Sequence, residues 1–146
     1  MIARQNKRYC YKTIGAEMIS KTIAGLIFII FPTTMLRGQI TDVDIFSRVV
    51  NLIYKVDAPT NLFPSLHCLE SYICMKSALE LKELDATYRV SMITLSILVF
   101  FSTVFIKQHV ILDFFGAVVI AEAGRALVEL FCGPIKPLFK KVVNMT

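Results

Sequence analysis

The chain has 146 residues, of which 55% are hydrophobic and only 18% are charged, and its mean hydropathy is +0.63. Soluble domains carry about 25% charged residues, so this composition excludes a disordered chain and disfavours a water-soluble globule, and it points to lipid as the surroundings of the apolar surface. The net charge of +5 would suit a protein that binds nucleic acid. The basic residues, however, cluster at the ends of apolar segments, and membrane topology explains that position better. No nucleic-acid partner is therefore predicted.

Four long apolar segments follow one another along the chain, and their lack of alternating polarity predicts helices rather than strands. They run from about 14 to 36, from 66 to 81, from 90 to 106 and from 110 to 131. A bilayer core of about 30 Å needs about 20 helical residues, which the first, third and fourth segments supply. The second segment fits only if its polar residues face other helices. The sequence therefore predicts an all-α fold, a transmembrane helical bundle with about four membrane helices.

The connection between the first two segments, residues 37–63, holds a shorter apolar pattern. Its hydrophobic residues between Asp42 and Tyr54 suit a short amphipathic helix that lies along the membrane surface. At the other end of the chain, the Gly133-Pro134 pair predicts the end of the fourth helix.

The distribution of lysine and arginine predicts the orientation of the helices, because basic residues favour the cytoplasmic side. The more basic side holds Arg4, Lys7, Arg8, Lys12, Lys21, Lys82, Arg89, Lys136, Lys140 and Lys141. The opposite side holds Arg37, Arg48, Lys55 and Lys107. We therefore expect a multi-pass protein of the plasma (cytoplasmic) membrane with cytoplasmic termini and an outward-facing 37–63 connection.

No repeat, low-complexity tract or linker divides the chain. The sequence predicts one membrane domain over residues 12–133, with basic cytoplasmic tails at residues 1–11 and 134–146.

The two histidines of the chain, His67 and His109, each lie at the outward end of a predicted membrane helix. Arg37 closes the first helix on the same side, and Lys107 and Asp113 flank His109. A single histidine there is more simply a polar residue at the water line, and anchoring of a helix end explains Arg37 taken alone. Their joint arrangement on one outer face instead predicts a functional site.

The spacing around the histidines adds chemical detail. His109 and Asp113 are four residues apart and share a helix face, so the carboxylate can accept a hydrogen bond from one ring nitrogen and leave the other as a nucleophile. Pro64-Ser65 is a plausible helix start, whose exposed N–H groups suit an anion such as phosphate. Arg37 offers a planar fork for phosphate oxygens, and Lys107 offers a point charge.

These residues carry a resemblance to a known family, the type 2 phosphatidic acid phosphatase superfamily of lipid phosphate phosphatases. Pro64-Ser65-Leu66-His67 resembles its Pro-Ser-Gly-His motif, with Leu66 in place of Gly. The stretch from Ser102 to Asp113 resembles its Ser-Arg-x5-His-x3-Asp motif at full spacing, with Thr103 in place of Arg. Arg37-Gly38 resembles the end of its Lys-x6-Arg-Pro motif, with Gly38 in place of Pro and Ile30 in place of Lys.

The resemblance covers most of the chain and implies an architecture. Residues 57–67 and the Lys107-Gln108 pair are similar to a subgroup that includes inositol phosphorylceramide synthase-like proteins. The family usually has six membrane helices, and its motifs occupy the last four. The chain therefore resembles a shortened member that lacks the first two membrane helices.

The resemblance also implies a metal-independent reaction that needs no cofactor. His109 would attack the phosphorus of a lipid phosphate and form a phosphohistidine, with Asp113 orienting the ring. His67 would protonate the leaving alkoxide and then activate water. The groups implied to bind the phosphoryl oxygens are Arg37, Ser65, Ser102, Lys107 and the Leu66 N–H.

The sequence thus predicts an integral membrane lipid phosphatase whose partners are the bilayer and a lipid phosphate. Candidate substrates are phosphatidate, phosphatidylglycerol phosphate and polyprenyl pyrophosphate. Two alternatives stay open: an inositol-type phosphotransferase that acts on a lipid headgroup, and an inactive shortened relative. Away from the histidines, Glu70 is expected to make a polar helix contact, and Glu122 and Arg125 are expected to form a structural ion pair.

Overall fold

The computed structural model describes residues 6–34, 44–56, 60–82, 84–106, 109–133 and 135. It contains five helices: α1 (Lys7–Ile30), α2 (Ile45–Val56), α3 (Leu66–Glu80), α4 (Ala86–Phe105) and α5 (Ile111–Cys132). These described ranges contain no strand beyond an isolated bridge between Thr34 and Thr60. The predicted all-α class is confirmed.

The four longest helices correspond to the four predicted segments, with some ends shifted. α1 begins well before the predicted apolar segment, because the Asn6 side chain accepts a hydrogen bond from the Tyr9 N–H at 3.0 Å and caps the helix. It ends at Ile30, shortly before Pro32, which cannot continue a helix. α5 ends at Cys132, directly before Gly133 with a φ of 75°, as predicted.

Two of the helices, α1 and α4, are long and apolar enough to cross a membrane by length and composition. That number is smaller than the predicted four, because α3 has only 15 residues and α5 carries several charged side chains. Within their most apolar windows only 17% and 11% of the residues are buried, unlike the core helix of a soluble protein. The exposed apolar side chains on these two helices include Met18, Leu26, Ile29, Leu95, Leu98 and Phe101.

α1 and α5 approach each other closely through small residues. Ala16, Ser20 and Ala24 are fully buried and lie one turn apart on α1. The Ser20 hydroxyl donates to the Ala16 carbonyl oxygen at 2.8 Å and lies 3.2 Å from the Ile120 carbonyl oxygen. A Cβ atom on Gly124 would lie 2.1 Å from Ser20 Oγ, so glycine is required there. Contacts of this kind are typical of helix pairs in membranes.

Charged side chains join α3 to α5. Arg125 Nη2 donates to Glu80 Oε1 at 2.7 Å, and Lys76 pairs with Glu122. The prediction of an ion pair between Glu122 and Arg125 is therefore wrong, because each of the two residues pairs with a residue of α3 instead. In the described part of the chain, α5 packs against both α1 and α3, α4 packs against α3, and α1 and α3 touch only sparsely.

α2 is the predicted amphipathic helix, and it lies apart from the bundle. Asp44 caps it by accepting hydrogen bonds from the Phe46 and Ser47 N–H groups, both at 3.3 Å. Most of its apolar side chains are exposed: Ile45, Phe46, Val49, Leu52 and Val56. The Tyr54 hydroxyl donates to the Ile106 carbonyl oxygen at 2.7 Å, which ties α2 to the end of α4.

Candidate functional site

The two histidines come together at the end of the bundle where α3 and α5 begin. His67 lies in the first turn of α3, and His109 precedes α5 by two residues. Their ring centroids are 6.0 Å apart, and the ring planes are inclined at 55°. The rings of the two histidines therefore lie near each other, and the separation allows one small tetrahedral group to contact both of them.

His109 is held by Asp113. The ring Nδ1 lies 3.2 Å from Asp113 Oδ2, and both side chains are buried, with 8% and 4% of each residue exposed. The same carboxylate oxygen accepts a hydrogen bond from the Val110 N–H at 3.0 Å, which caps α5. With an acceptor at Nδ1, the ring hydrogen sits on Nδ1 and the lone pair remains on Nε2.

The surroundings lower the pKa of His109 below its ordinary value of 6.5. Burial is the largest cause, because it disfavours the charged ring, and His67 acts in the same direction. The Asp113 carboxylate and a hydrogen bond to the Leu62 backbone oppose both, but they do not outweigh them. His109 is therefore neutral at pH 7, which is the form that has a free lone pair.

The backbone of His109 is fixed by the end of α4. Its N–H donates to the Thr103 carbonyl oxygen at 3.1 Å. Thr103 is buried, its hydroxyl donates to the Phe100 carbonyl oxygen at 3.0 Å, and its Oγ1 lies 3.8 Å from Cys68 Sγ on α3. Contacts from two helices thus hold His109 in place before α5 begins.

Ser65 organises the start of α3. Its fully buried Oγ accepts a hydrogen bond from the Cys68 N–H at 3.3 Å, which makes it the helix cap. Its own N–H donates to the Asp113 carbonyl oxygen at 3.4 Å and so joins the starts of α3 and α5. The first-turn N–H groups of a helix, here including that of Leu66, have no acceptor within the helix and favour a bound anion.

A cavity of about 230 Å³ opens beside the two histidines. The other residues that line it are Phe28, Thr60, Asn61, Leu62 and Leu66. Thr33 holds two of these lining residues in place. The Thr33 carbonyl oxygen accepts a hydrogen bond from the Asn61 N–H at 2.7 Å, and Thr33 Oγ1 accepts one from the Leu62 N–H at 2.8 Å. Asn61 has a φ of 58°, a region that Asn tolerates better than most residues.

The structure brings together several of the predicted site residues. These are Leu66, His67, His109 and Asp113. Ser65 is adjacent, but its Oγ faces the α3 backbone instead of the cavity. Ser102 is exposed, donates to the Val99 carbonyl oxygen at 3.1 Å and does not line the cavity. Arg37 and Lys107 lie outside the residues that the structure describes.

Sequence reasoning missed four residues that line the cavity, namely Phe28, Thr60, Asn61 and Leu62. A signal existed for Asn61, because Asn shortly before a helix start often marks a turn with positive φ. Phe28 belongs to a run of apolar residues, and nothing in the sequence distinguishes it from neighbours that face outward. Among the described residues no group of three His, Cys, Asp or Glu side chains is placed to hold a metal ion.

Comparison of the chain with family models, curated proteins and solved structures found no match in any of the three. The geometry of the site therefore carries the functional inference.

Proposed function

We propose that this protein is an integral membrane phosphatase that hydrolyses a phosphomonoester or pyrophosphate of a lipid. The supporting observation is the pair of imidazoles, 6.0 Å apart, of which one is held by a buried carboxylate. A neutral histidine oriented through Nδ1 is a suitable nucleophile, and a second histidine within reach is a suitable proton carrier.

The reaction would proceed in two steps. In the first, His109 Nε2 bonds to phosphorus while the bond to the lipid oxygen breaks, and that oxygen takes a proton from protonated His67. In the second, neutral His67 accepts a proton from water as the water oxygen bonds to phosphorus. The bond between nitrogen and phosphorus then breaks, which releases phosphate and neutral His109. The first-turn N–H groups of α3 would stabilise the phosphoryl oxygens. Arg37 and Lys107 stay predictions for the same role.

We also propose the membrane arrangement in which this chemistry takes place. α3 and α5 would cross the bilayer beside α1 and α4, because two ion pairs join them, Lys76 with Glu122 and Arg125 with Glu80, and reduce the cost of placing these charges in lipid. The histidines would face outward from the plasma membrane, and α2 would rest on the outer surface. The motif spacing and the paired rings support placing the chain in the type 2 phosphatidic acid phosphatase superfamily.

A phosphotransferase is the second candidate, and the cavity lining favours it. Thr60 and Asn61 are neutral hydrogen-bonding side chains beside the histidines, and they suit the hydroxyl groups of an alcohol. An alcohol bound there would replace water in the second step. Supplying inositol or glycerol and measuring the phosphorylated alcohol against free phosphate would separate transfer from hydrolysis.

The test is phosphate release and phosphoenzyme formation by the purified protein in proteoliposomes that contain phosphatidate labelled with ³²P. We expect His109→Ala to form no phosphoenzyme and release no phosphate. We expect His67→Ala to slow both phosphoenzyme formation and phosphate release, because each step loses its proton carrier while the nucleophile stays intact. Leu98→Ala, on the exposed face of α4, is the matched control. Undiminished activity in His109→Ala would overturn the proposal, and an inert wild-type protein would favour the inactive relative.

A further inference from the structure

The cavity beside the histidines has one wall on α1 and another on α3. Phe28 contributes the first wall, and Leu66 and His67 contribute the second. α5 packs against both helices, whereas α1 and α3 touch only sparsely. The sparsely contacting stretch between α1 and α3 adjoins the cavity, and it is called the groove below.

One face of α1 follows this groove. Lys21, Gly25 and Phe28 are spaced four and three residues apart, so they share a helix face. Lys21 reaches α3 at one end of that face, and Phe28 lines the cavity at the other end. Gly25 lies between them along the same side of α1.

Gly25 leaves this part of the groove unfilled. A Cβ atom built on Gly25 would have no atom within 4 Å. By contrast, a Cβ atom on Gly116 or on Gly124 would lie less than 3 Å from a neighbouring atom. Glycine inside a helix is unfavourable by about 1 kcal/mol relative to alanine, and at Gly25 no close packing accounts for it.

An ion pair marks the far end of the groove. Lys21 Nζ lies 2.7 Å from Glu70 Oε1 on α3 and 2.7 Å from Glu17 Oε1 on α1. Glu70 thus makes the polar helix contact that the sequence predicts. With a rise of about 1.5 Å per residue, the distance along α1 from Phe28 to Lys21 is about 10 Å. The groove is therefore long enough for the first part of a lipid chain.

We propose that the groove between α1 and α3, from Phe28 past Gly25 to the Lys21–Glu70 pair, receives the apolar tail of the lipid substrate. This inference rests on the proposed phosphatase function. The tail is covalently attached to the phosphoryl group, so it must leave the cavity through an opening that is continuous with it. Phe28 and Leu66 provide apolar walls at the exit, and the missing side chain at Gly25 provides room. At the Lys21–Glu70 pair the tail passes into the surrounding lipid.

The test compares two substrates that differ only in tail length, dioleoyl phosphatidate in proteoliposomes and water-soluble dihexanoyl phosphatidate. We expect Gly25→Trp to lower kcat/KM for the long-chain substrate by about tenfold or more. The kcat/KM for the short-chain substrate should change by less than about twofold. Leu98→Trp is the control, because it adds the same side chain to an exposed position on α4 and should affect neither substrate. Gly25→Leu replaces Gly25→Trp if the larger residue prevents folding, as judged by thermal melting.

The outcomes separate this inference from the proposed function. If the wild-type protein hydrolyses neither phosphatidate, the phosphatase proposal fails and the groove proposal fails with it. If the wild-type protein hydrolyses both and the Gly25 variants treat the two substrates alike, the groove proposal is overturned while the phosphatase proposal stands.

Discussion

Replacing Asp113 with Asn tests how the site activates His109. The carboxylate accepts a hydrogen bond from the Val110 N–H at 3.0 Å, and the same oxygen lies 3.2 Å from His109 Nδ1. Asn has the same shape, and its oxygen can take the place of Oδ2 and keep both contacts. The ring hydrogen then stays on Nδ1, but the negative charge beside the ring is lost. The ring becomes positively charged when Nε2 bonds to phosphorus, so the attack loses the counter-charge that stabilises it.

We expect Asp113→Asn to lower kcat by about 10³-fold or more, equivalent to about 4 kcal/mol at 1.36 kcal/mol per tenfold change. The cost to stability should be about 1 kcal/mol, because the cap of α5 is retained. Phosphate release in proteoliposomes measures the first quantity, and thermal melting in detergent measures the second. Asp113→Ala should melt at a lower temperature than Asp113→Asn, because it also removes the cap.

The matched control is Glu129→Gln, which makes the same chemical change further along α5. Glu129 Oε1 accepts a hydrogen bond from the Ile135 N–H at 3.1 Å, at the end of the helix opposite the histidines. Its variant should keep wild-type kcat. The reasoning is refuted if Asp113→Asn keeps more than about a tenth of the wild-type kcat, because the carboxylate charge would then not assist the attack by His109.

Three other features are open to simple tests. Because burial lowers the pKa of His109 below 6.5, the neutral nucleophile should persist below pH 6.5, and kcat/KM should fall only as the pH drops through that lowered pKa. Gly116→Ala would place a Cβ atom 2.4 Å from Phe63 Cε2, so it should displace the segment leading into α3 and lower turnover by about 10²-fold. Gly124→Ala would place a Cβ atom 2.1 Å from Ser20 Oγ, so it should destabilise the α1–α5 contact by about 2 kcal/mol and lower the melting temperature.

Gly25→Ala is the control for both glycine variants. Gly25 lies on α1, and a Cβ atom added there has no atom within 4 Å. The Gly25→Ala variant should therefore have a higher melting temperature, because alanine has the higher helix propensity. An acidic limb at or above pH 6.5 would contradict the first of these predictions. Wild-type turnover in Gly116→Ala would contradict the second, and wild-type melting in Gly124→Ala would contradict the third.

The helix boundaries were predictable where their signals are local. α3 begins after Ser65 and α5 ends before Gly133, close to the predicted positions, because a cap and a glycine act within one turn. The start of α1 was not predictable in this way. Its first turns carry the buried Tyr9, whose hydroxyl donates to Glu80 Oε2 at 2.8 Å, and a contact between residues so far apart in sequence cannot be read from hydropathy.

The candidate site was predictable only in part, for a geometric reason. The sequence predicts that the helix ends carrying His67 and His109 share one side of a membrane, and helix ends on one side bring their polar residues together. Which side chain of a neighbouring pair faces inward depends on the rotation of the helix about its axis. Successive side chains point about 100° apart, so Thr103 is buried while Ser102 is exposed. Rotation also decides that Arg125 pairs with α3.

The hydrogen bond from the Ser65 N–H to the Asp113 carbonyl oxygen links the starts of α3 and α5, the two segments that carry the histidines. Membrane helices tilt when bilayer thickness changes, and groups on unlinked helix ends would then drift apart. Here the hydrogen bond connects the start of α3 to the first turn of α5, so we expect the two imidazoles to move together. Turnover should therefore vary little between thin and thick bilayers, even where the outer ends of α1 and α4 are displaced.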